Sequence, residues 1–296
     1  MELRHIRYFL AVAEEANFTR AAARVGIGQP PLSQQIRALE DELGVQLFRR
    51  KAYGAELTEA GQAFHAAVKT MPAQAQAAAR QAQRAGRGEI GVIRVGFTAS
   101  AGLMPLIPAA LRTYKREYPD VELVLVEANS TTLARQLHEG ALDVGFLRPE
   151  AVDLSGLRTE VVAEEDMVLA LPSRHAAEGE AALLYQLKDV PLILTPRTLG
   201  PTVFDAALAA CRGAGFEPRM GQPAPQLSSV IALVAAELGF SIVPASVRQL
   251  ALEGVVFRPL QDVTPKALLS LVTSKTPPAV VNRFAGLVHR VLHGVA

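Results

Sequence analysis

The sequence predicts a multidomain α/β protein, and three changes in pattern along its 296 residues carry this prediction. Residues 1–60 hold short helical patterns and a hairpin signal, whereas residues 58–88 are dominated by alanine and glutamine, which favour helix. From residue 89 onwards strand and helix patterns alternate, which is typical of parallel sheets covered by helices. Because about 200 residues are many for one such sheet, we divide this region into two α/β lobes.

Composition excludes several classes of protein. The 30 basic and 29 acidic side chains leave a formal net charge of +1, so any binding to nucleic acid must come from local clusters of charge. Half of the residues are hydrophobic, which is enough for more than one core. The single cysteine, Cys211, excludes an internal disulfide. The N-terminus lacks a signal-like apolar stretch, and no apolar run reaches the about 18 residues of a membrane span, so we expect a cytoplasmic protein that does not contact a membrane.

The first region is predicted to form three short helices and a hairpin. The predicted ranges are 3–13, 18–25 and 29–43 for the helices and 47–51 and 55–57 for the strands. Pro30 and Pro31 fit the third helix if Gly28 is its N-cap, because the N–H groups of a first turn have no partner within the helix.

The third predicted helix has two faces. Its apolar stripe is formed by Leu32, Ile36, Leu39 and Leu43. The hydrogen-bonding side chains on the opposite side are Gln29, Ser33, Gln34 and Arg37. Glutamine, serine and arginine are suited to base edges and phosphates, and a short second helix joined through Gly26 fits a helix-turn-helix. An ordinary surface helix of a three-helix bundle would show the same pattern and stays open as an alternative.

Charge around this helix is mixed. The acidic run of residues 40–42 lies at its end and weakens the case for DNA binding. Residues 29–39 contain no acid, however, and Arg49, Arg50 and Lys51 lie in the adjoining hairpin. Such local clustering on a neutral chain is what a compact phosphate-binding face requires.

The alanine-rich segment of residues 58–88 is predicted to be a long helix. Thr58 is a suitable N-cap, and Gly86 and Gly88 end the segment. Its apolar surface is shallow, so we expect it to be stabilised by a partner helix. Pro72 predicts a kink or a break, because an interior proline costs about 3 kcal/mol.

Signals of enzyme chemistry are weak. The sequence has no glycine-rich phosphate loop and no GxSxG motif. His289 and His293 are four residues apart, a spacing that can chelate a metal, but a solvated face is the favoured interpretation. Cys211 is expected to be packed, since it has no second cysteine for redox exchange. We therefore expect no catalytic residue, metal or cofactor.

Several runs in the first region occur together in one known family. They are Phe18-Thr19-Arg20-Ala21-Ala22, Gln29-Pro30-Pro31-Leu32-Ser33, Leu39-Glu40, Leu43-Gly44 and Leu47-Phe48, with Ile36 and Arg50. This set resembles the DNA-binding domain of LysR-type transcriptional regulators. The opening MELRHIRYFLAVAEE and the later GFSIVPAS at residues 239–246 are similar to the branch that regulates aromatic catabolism, such as the benzoate and muconate regulators. Gly28 stands where many members have a capping serine, and Gln34 where some have arginine.

The resemblance implies an organisation for the whole chain. It implies a winged helix-turn-helix over residues 1–58, a long linker and dimerisation helix over 59–88, and a two-lobed effector-binding domain similar to periplasmic binding proteins over 89–296. Lobe I would comprise residues 89–161 and 267–296, and lobe II residues 162–266. The residues implied to contact DNA are Gln29, Pro30, Pro31, Ser33, Gln34, Arg37, Arg50 and Lys51.

The family places an inducer between the two lobes. The resemblance assigns Thr98, Ala99, Ser100, Asn129 and Ser130 to one wall and Pro201, Thr202 and Val203 to the other. Val203 stands where the benzoate and muconate branch has an aromatic residue. Arg148 follows a predicted strand, and it either lines the cleft or is a surface cation.

Hydroxyl groups at predicted helix starts indicate the chemistry of this inducer. Ser100, Ser130 and Thr202 each begin a predicted helix, where hydroxyls and free N–H groups favour a bound anion, so we expect a small carboxylate. The alternative is that each hydroxyl caps its own helix.

The favoured function is a ligand-responsive transcription factor. The implied partners are double-stranded operator DNA, a small-molecule inducer and further copies of the chain in a homodimer or a homotetramer built as a dimer of dimers, with RNA polymerase as a further candidate. The alternative function is a solute-binding module with an unrelated N-terminal interaction domain. The DNA-facing set on the third helix and the lack of a secretory signal discriminate between them.

Overall fold

The computed structural model describes residues 1–51, 54–175, 184–261 and 265–294, without the side chains of Arg50 and His175. The chain divides into two units, Met1–Arg84 and Ala85–Ala296. Within the described residues, no helix is both long and apolar enough to cross a membrane.

The first unit is helical with one hairpin. Its elements are α1 (Leu3–Glu15), α2 (Phe18–Val25), α3 (Gln29–Leu43), β1 (Phe48–Lys51), β2 (Gly54–Leu57), α4 (Glu59–Val68) and α5 (Met71–Gly86), of which α5 continues into the second unit. The three predicted helices and the hairpin are confirmed. Gly28 is the N-cap of α3 with both prolines in the first turn, as predicted.

Aromatic side chains hold this unit together. The ring of Phe9 lies 5.2 Å from that of Phe48 and 4.9 Å from that of Phe64, so α1 packs against both the hairpin and α4. The predicted apolar stripe of α3 is buried except at Leu43, which is 37% exposed. That part of the prediction is wrong, because Leu43 lies in the last turn of α3, where the chain turns away at Gly44.

The alanine-rich segment forms two helices rather than one. Thr58 caps α4 by accepting a hydrogen bond from the N–H of Gly61 at 2.9 Å. Helix α4 ends at Val68 and α5 begins at Met71, so the predicted break is confirmed and Pro72 lies in the first turn of α5. No side chain of α5 is buried within this chain.

The second unit is an α/β fold around a seven-stranded sheet. Its elements are β3 (Gly91–Phe97), α6 (Ala99–Gly102), α7 (Leu106–Glu117), β4 (Val121–Glu127), α8 (Ser130–His138), β5 (Val144–Leu147), β6 (Leu157–Pro172), α9 (Pro201–Gly213), α10 (Leu227–Ala235), β7 (Ser241–Pro244), β8 (Val255–Pro259), β9 (Lys266–Ser274) and α11 (Ala279–Leu292). The strand order is β4-β3-β5-β9-β6-β7, and β8 also pairs with β6.

The sheet is mixed, so the expectation of parallel sheets is only partly correct. Strand β3 is parallel to β4 and β5, but every pair that involves β6 or β9 is antiparallel. These two long strands pass from the first half of the sheet into the second, and β6 has a register shift between Val161 and Ala163. The sequence predicts that the chain crosses between the two lobes near residues 160–163 and near residues 263–266. The first of these crossings coincides with the register shift, whereas the second lies partly outside the described residues.

Each half of the sheet has its own core. The first surrounds Tyr114, Phe146 and Phe284, and the second surrounds Phe240 and Cys211. Cys211 is packed as predicted, and its burial raises the pKa of the thiol to about 11. This thiol therefore stays protonated and unreactive at neutral pH.

Candidate functional site

The first candidate site is the exposed side of α3. Helix α2 ends at Gly26, whose φ of +74° allows the tight turn into α3. Gln34 and Arg37 are exposed on α3, and so are Pro30 and Pro31 in its first turn. A polar helix face after such a turn matches a recognition helix that enters the major groove.

Ser33 does not belong to this exposed side. It is only 8% exposed, next to the buried Leu32, and its hydroxyl accepts a hydrogen bond from the side chain of the half-buried Gln29 at 2.9 Å. The prediction that Ser33 faces outwards is therefore wrong. Its role in the structure is to orient Gln29 at the start of the helix.

The hairpin carries basic side chains beside this helix. Arg49 and Lys51 are exposed, and the Lys51 amine lies 2.5 Å from the carboxylate of Glu56 on the facing strand. Arg50 pairs with Ala55 in the strand register, and its side chain lies outside the described residues.

Glu40 is not part of an acidic surface. It is only 7% exposed, and its carboxylate accepts hydrogen bonds from the backbone N–H groups of Leu47, at 2.7 Å, and Phe48, at 3.1 Å. The carboxylate thus holds the start of the hairpin against α3. Of the three acidic side chains at residues 40–42, which weakened the case for DNA binding, Glu40 is therefore buried and does not lie on the surface.

The second candidate site is a cavity of about 320 Å³ in the second unit. Its wall contains eight of the predicted effector-site residues: Thr98, Ala99, Ser100, Asn129, Ser130, Arg148, Thr202 and Val203. The ninth, Pro201, is buried in the first turn of α9 and does not line the cavity.

Several lining residues were missed by the sequence prediction. Glu127, Thr195, Phe204, Gln226 and Ser228 also line the cavity. The sequence predicts a helix over residues 230–238, but α10 begins three residues earlier, and Gln226 and Ser228 lie at its start. Polar residues directly before residue 230 were the signal in the sequence that could have located Gln226 and Ser228.

Arg148 is the central charged group of the cavity wall. It is only 2% exposed, so the interpretation as a surface cation is wrong. Its Nη1 donates to the carbonyls of Ala267, at 3.0 Å, and Leu268, at 3.2 Å, while its Nη2 forms an ion pair with Glu165. Among the described residues, its buried Nε has no hydrogen-bond partner.

Arg148 also orients two hydroxyl groups. Its Nη2 donates to the Ser100 hydroxyl, and its backbone N–H donates to the Ser130 hydroxyl, both at 3.2 Å. Since each oxygen accepts from Arg148, each hydroxyl proton is available to a ligand that accepts hydrogen bonds.

Glu165 is itself fixed in place by Ser246. The carboxylate accepts the backbone N–H of Ser246 at 2.7 Å, and the Ser246 hydroxyl lies 3.2 Å from the carboxylate and 3.1 Å from the carbonyl oxygen of Ser100. The ion pair therefore has hydrogen-bonded support on both sides, as a buried pair requires.

Residues at the starts of four helices line the cavity, and these helix starts differ in whether a side chain caps them. The starts of α6 and α8 are capped by Thr98 and Asn129, whose side chains accept the N–H of Ala101 and Thr132. The N-caps of α9 and α10 make no side-chain cap bond. Two helix starts that line the cavity thus have no side-chain cap, and free N–H groups at a helix start favour an anion.

The three predicted hydroxyls are not caps of their own helices. Ser100 and Ser130 accept from Arg148, and the Thr202 hydroxyl donates to the carbonyl of Glu150 at 2.5 Å. Ser100 is the second residue of a helix of only four residues, Ala99–Gly102.

His289 and His293 are the two histidines whose spacing can chelate a metal. Among the described residues, no group of three His, Cys, Asp or Glu side chains is placed to hold a metal. His289 instead lies 3.3 Å from the carboxylate of Glu160.

Comparison with known proteins identifies both units. Residues 3–62 match the family described as "Bacterial regulatory helix-turn-helix protein, lysR family", and residues 86–292 match the LysR substrate binding domain. The transcriptional regulator BudR of Raoultella terrigena is 40% identical over 272 residues, which cover 92% of this chain and 94% of BudR. The regulator AlsR of Bacillus subtilis is 37% identical over 264 residues, 89% of this chain and 87% of AlsR.

One solved structure is similar to this protein over nearly the whole chain. Full-length CbnR in complex with its target DNA matches with a TM-score of 0.83 at 30% identity, over 99% of this chain and 100% of that one. The alternative of an unrelated N-terminal interaction domain is wrong, because the N-terminal residues match a DNA-binding family. Both relatives are HTH-type transcriptional regulators. The chain belongs to the LysR family of DNA-binding transcriptional regulators, with an N-terminal winged helix-turn-helix and a two-lobed effector-binding domain.

Proposed function

We propose that this regulator binds its operator through α3 and the β1–β2 wing, and that a small carboxylate in the 320 Å³ cavity controls the response. The observation that carries the effector class is the pair of serine hydroxyls, Ser100 and Ser130, which Arg148 orients in a wall shared with two helix N-termini that have no side-chain cap. We also propose the domain division into residues 1–58, 59–88 and 89–296.

The guanidinium of Arg148 is not the direct receptor of the carboxylate in this proposal. Its Nη groups are engaged by Glu165, Ser100 and two carbonyls. The effector carboxylate instead accepts hydrogen bonds from the serine hydroxyls and from the N–H groups that begin α9 and α10. Such donors stabilise an anion without adding a second buried cation to the wall.

Removing the Ser130 hydroxyl tests the effector site. Ser130→Ala should weaken binding of the effector by about 0.5–1.5 kcal/mol, or by up to about 3 kcal/mol if the hydrogen bond is charge-assisted. The probes are acetate, pyruvate, succinate and benzoate, ranked by the rise in melting temperature that each gives the unmutated protein. Calorimetric titration of the best probe then measures the dissociation constant for the variant.

The matched control is Ser155→Ala, an exposed serine in a loop of the same unit. It should leave the dissociation constant unchanged. If none of the four acids raises the melting temperature, or if Ser130→Ala binds the best acid as tightly as the unmutated protein, the carboxylate assignment fails.

Loss of Arg37 tests the DNA site. Arg37→Ala should cost about 1–3 kcal/mol on the specific operator and much less on random DNA, because a base contact carries sequence information and a phosphate contact does not. The operator is first located by footprinting the DNA upstream of the regulated gene. Fluorescence anisotropy with the footprinted duplex and a scrambled duplex then gives both affinities.

The control for charge alone is Arg4→Ala. Arg4 is an exposed arginine on α1 and is paired with Glu2. Its replacement by alanine removes the same charge from the same domain as Arg37→Ala does. Equal losses for Arg4→Ala and Arg37→Ala, or equal losses on both duplexes, would show that α3 does not read base edges.

We further propose a homodimer held through α5 and a homotetramer made from two such dimers. The support is that α5 buries none of its side chains within the chain, so a partner helix can cover its alanine-rich face. We propose a cytoplasmic location, since the operator is there, and RNA polymerase as a further partner. The opening run and the GFSIVPAS segment support the proposal that this protein belongs to the branch of the benzoate and muconate regulators. Benzoate, one of the four acids in the melting experiment, tests this proposal.

A further inference from the structure

Four polar side chains that line the 320 Å³ cavity have their oxygens engaged as acceptors by the protein itself. The side-chain oxygens of Thr98 and Asn129 each accept a backbone N–H group, at 3.4 Å and 2.9 Å. The hydroxyl oxygens of Ser100 and Ser130 each accept from Arg148 at 3.2 Å. Since these oxygens are engaged, the O–H and N–H protons of the four side chains remain for a ligand. This part of the cavity therefore favours a group that accepts hydrogen bonds, such as a carboxylate.

Thr202, in the first turn of α9, has the opposite polarity. It is only 7% exposed and lines the same cavity. Its hydroxyl lies 2.5 Å from the carbonyl oxygen of Glu150, which can only accept, so the Thr202 proton is committed to that bond. Only the lone pairs of the Thr202 oxygen remain for a ligand. A ligand group that meets this oxygen must therefore donate a hydrogen bond.

Backbone donors of the same turn lie next to this acceptor. Helix α9 begins at Pro201 without a side-chain cap, and the N–H groups of Thr202 and Val203 have no partner within the helix. Thr202 thus combines a backbone N–H that favours an anion with a side-chain oxygen that requires a donor. A ligand that satisfies both groups of this one residue must carry its donor close to its carboxylate, on the adjacent carbon atom.

Of the groups that can stand on that carbon atom, a hydroxyl fits the start of α9 best. An oxo oxygen brings only lone pairs to the lone pairs of Thr202. An ammonium donates, but its positive charge lies at the start of α9, where the helix dipole disfavours a cation. A hydroxyl donates to Thr202 without adding a charge.

We propose that the effector is a 2-hydroxy carboxylic acid whose hydroxyl donates to Thr202, which makes Thr202 a specificity-determining residue of the cavity. This inference rests on the proposed function, because Ser100, Ser130 and the helix starts hold the carboxylate in both. Apolar side chains, among them Leu194 and Leu199, also line the cavity and contact the hydrocarbon part of the acid.

Four acids that differ only at the second carbon atom test the inference. They are 2-hydroxy-4-methylpentanoate, 2-oxo-4-methylpentanoate, 2-amino-4-methylpentanoate and unsubstituted 4-methylpentanoate. Each is titrated into the full chain by calorimetry, with the enantiomers of the hydroxy acid and the amino acid measured separately. One enantiomer of the hydroxy acid should bind about three- to tenfold more tightly than the oxo acid, which is the effect of one neutral hydrogen bond.

Variants of Thr202 show whether this residue sets the preference. Thr202→Val keeps the shape and removes the acceptor, so the ratio of the oxo-acid to the hydroxy-acid dissociation constant should fall to about one. Thr202→Ser keeps the hydroxyl and should keep the ratio. If loss of the bond to Glu150 merely distorts the cavity, all four acids bind more weakly by the same factor. The ratio then survives in Thr202→Val, and the inference is overturned.

Two further variants separate this inference from the proposed function. Ser130→Ala should weaken the binding of all four acids and keep the ratio, because Ser130 contacts the carboxylate that they share. Glu127 is an exposed carboxylate that lines the cavity and is the competing acceptor for a donor group. Glu127→Gln should leave the ratio unchanged.

The outcomes of the titrations distinguish the two proposals. The role of Thr202 is wrong, and the carboxylate effector stands, if the hydroxy acid binds no more tightly than the oxo acid or if Glu127→Gln removes the ratio. The amino acid as the tightest ligand also overturns the hydroxyl assignment. If none of the four acids binds, or if Ser130→Ala binds all of them as tightly as the unmutated protein, the carboxylate proposal fails and this inference fails with it.

Discussion

Replacement of Arg148 by methionine should lower the free energy of unfolding by about 3–5 kcal/mol, because it leaves the Glu165 carboxylate, whose side chain is only 10% exposed, without its counter-charge. Methionine keeps most of the side-chain volume, so loss of packing contributes little. The carbonyls of Ala267 and Leu268 also lose their donor. Urea unfolding followed by circular dichroism measures the change.

Two further variants separate the buried charge from other effects. Arg135→Met removes an arginine of an exposed pair with Glu139, where the expected loss is only about 0.3–0.5 kcal/mol. Glu165→Gln in the Arg148→Met background should recover much of the stability, because the remaining buried group is then neutral and still accepts the N–H of Ser246. Equal losses for Arg135→Met and Arg148→Met would contradict the buried ion pair.

The same ion pair shows why the cavity chemistry was only partly predictable. The position of Arg148 after a strand allowed both a cleft residue and a surface cation. The choice depends on two residues far along the chain. Glu165, 17 residues further on, lies on β6, which pairs antiparallel with β9, and it forms the ion pair with Arg148. Ser246, 98 residues further on, follows β7, which pairs antiparallel with β6, and it bonds to Glu165. No local pattern in the sequence carries such a long-range contact.

Local patterns predicted well the features that depend on neighbouring residues. Gly28, with two prolines at residues 30 and 31, predicts the start of α3, since the physical reason lies within one helical turn. The break near Pro72 and the cap at Thr58 follow from the same kind of reasoning. Strand direction did not follow, because alternation of strands and helices does not specify whether a long strand returns antiparallel.

Polar residues on a buried helix face mark a second limit of pattern-based prediction. Polarity alone assigns Ser33 and Glu40 to the surface, although they lie three and four residues from Ile36 and so on its side of the helix. In the structure both lie beside the apolar stripe of α3, where each has a hydrogen-bond partner that offsets its burial. An acidic residue at the end of a recognition helix can thus support the fold of the domain instead of repelling DNA.

Glu40→Ala should therefore have the second large effect. Loss of the carboxylate removes the acceptor of two buried backbone N–H groups, Leu47 and Phe48, and should destabilise the DNA-binding domain by about 2–4 kcal/mol. The start of the wing is the part released, so hydrogen exchange of residues 46–57 in the full chain should accelerate more than that of α7 or α11.

Asp41→Ala is the matched control for this prediction, because Asp41 is the exposed acidic neighbour of Glu40. It removes the same charge near α3, and a surface substitution of this kind should change stability by less than about 0.5 kcal/mol. It should also strengthen binding to any DNA slightly, since one negative charge leaves the protein surface. Glu40→Ala should weaken binding in spite of the same change in net charge, because a loosened hairpin no longer holds its basic residues in place. The opposite result would be that Glu40→Ala changes stability as little as Asp41→Ala does and binds DNA more tightly. In that case the Glu40 carboxylate acts as surface charge, and the two backbone N–H groups have other acceptors.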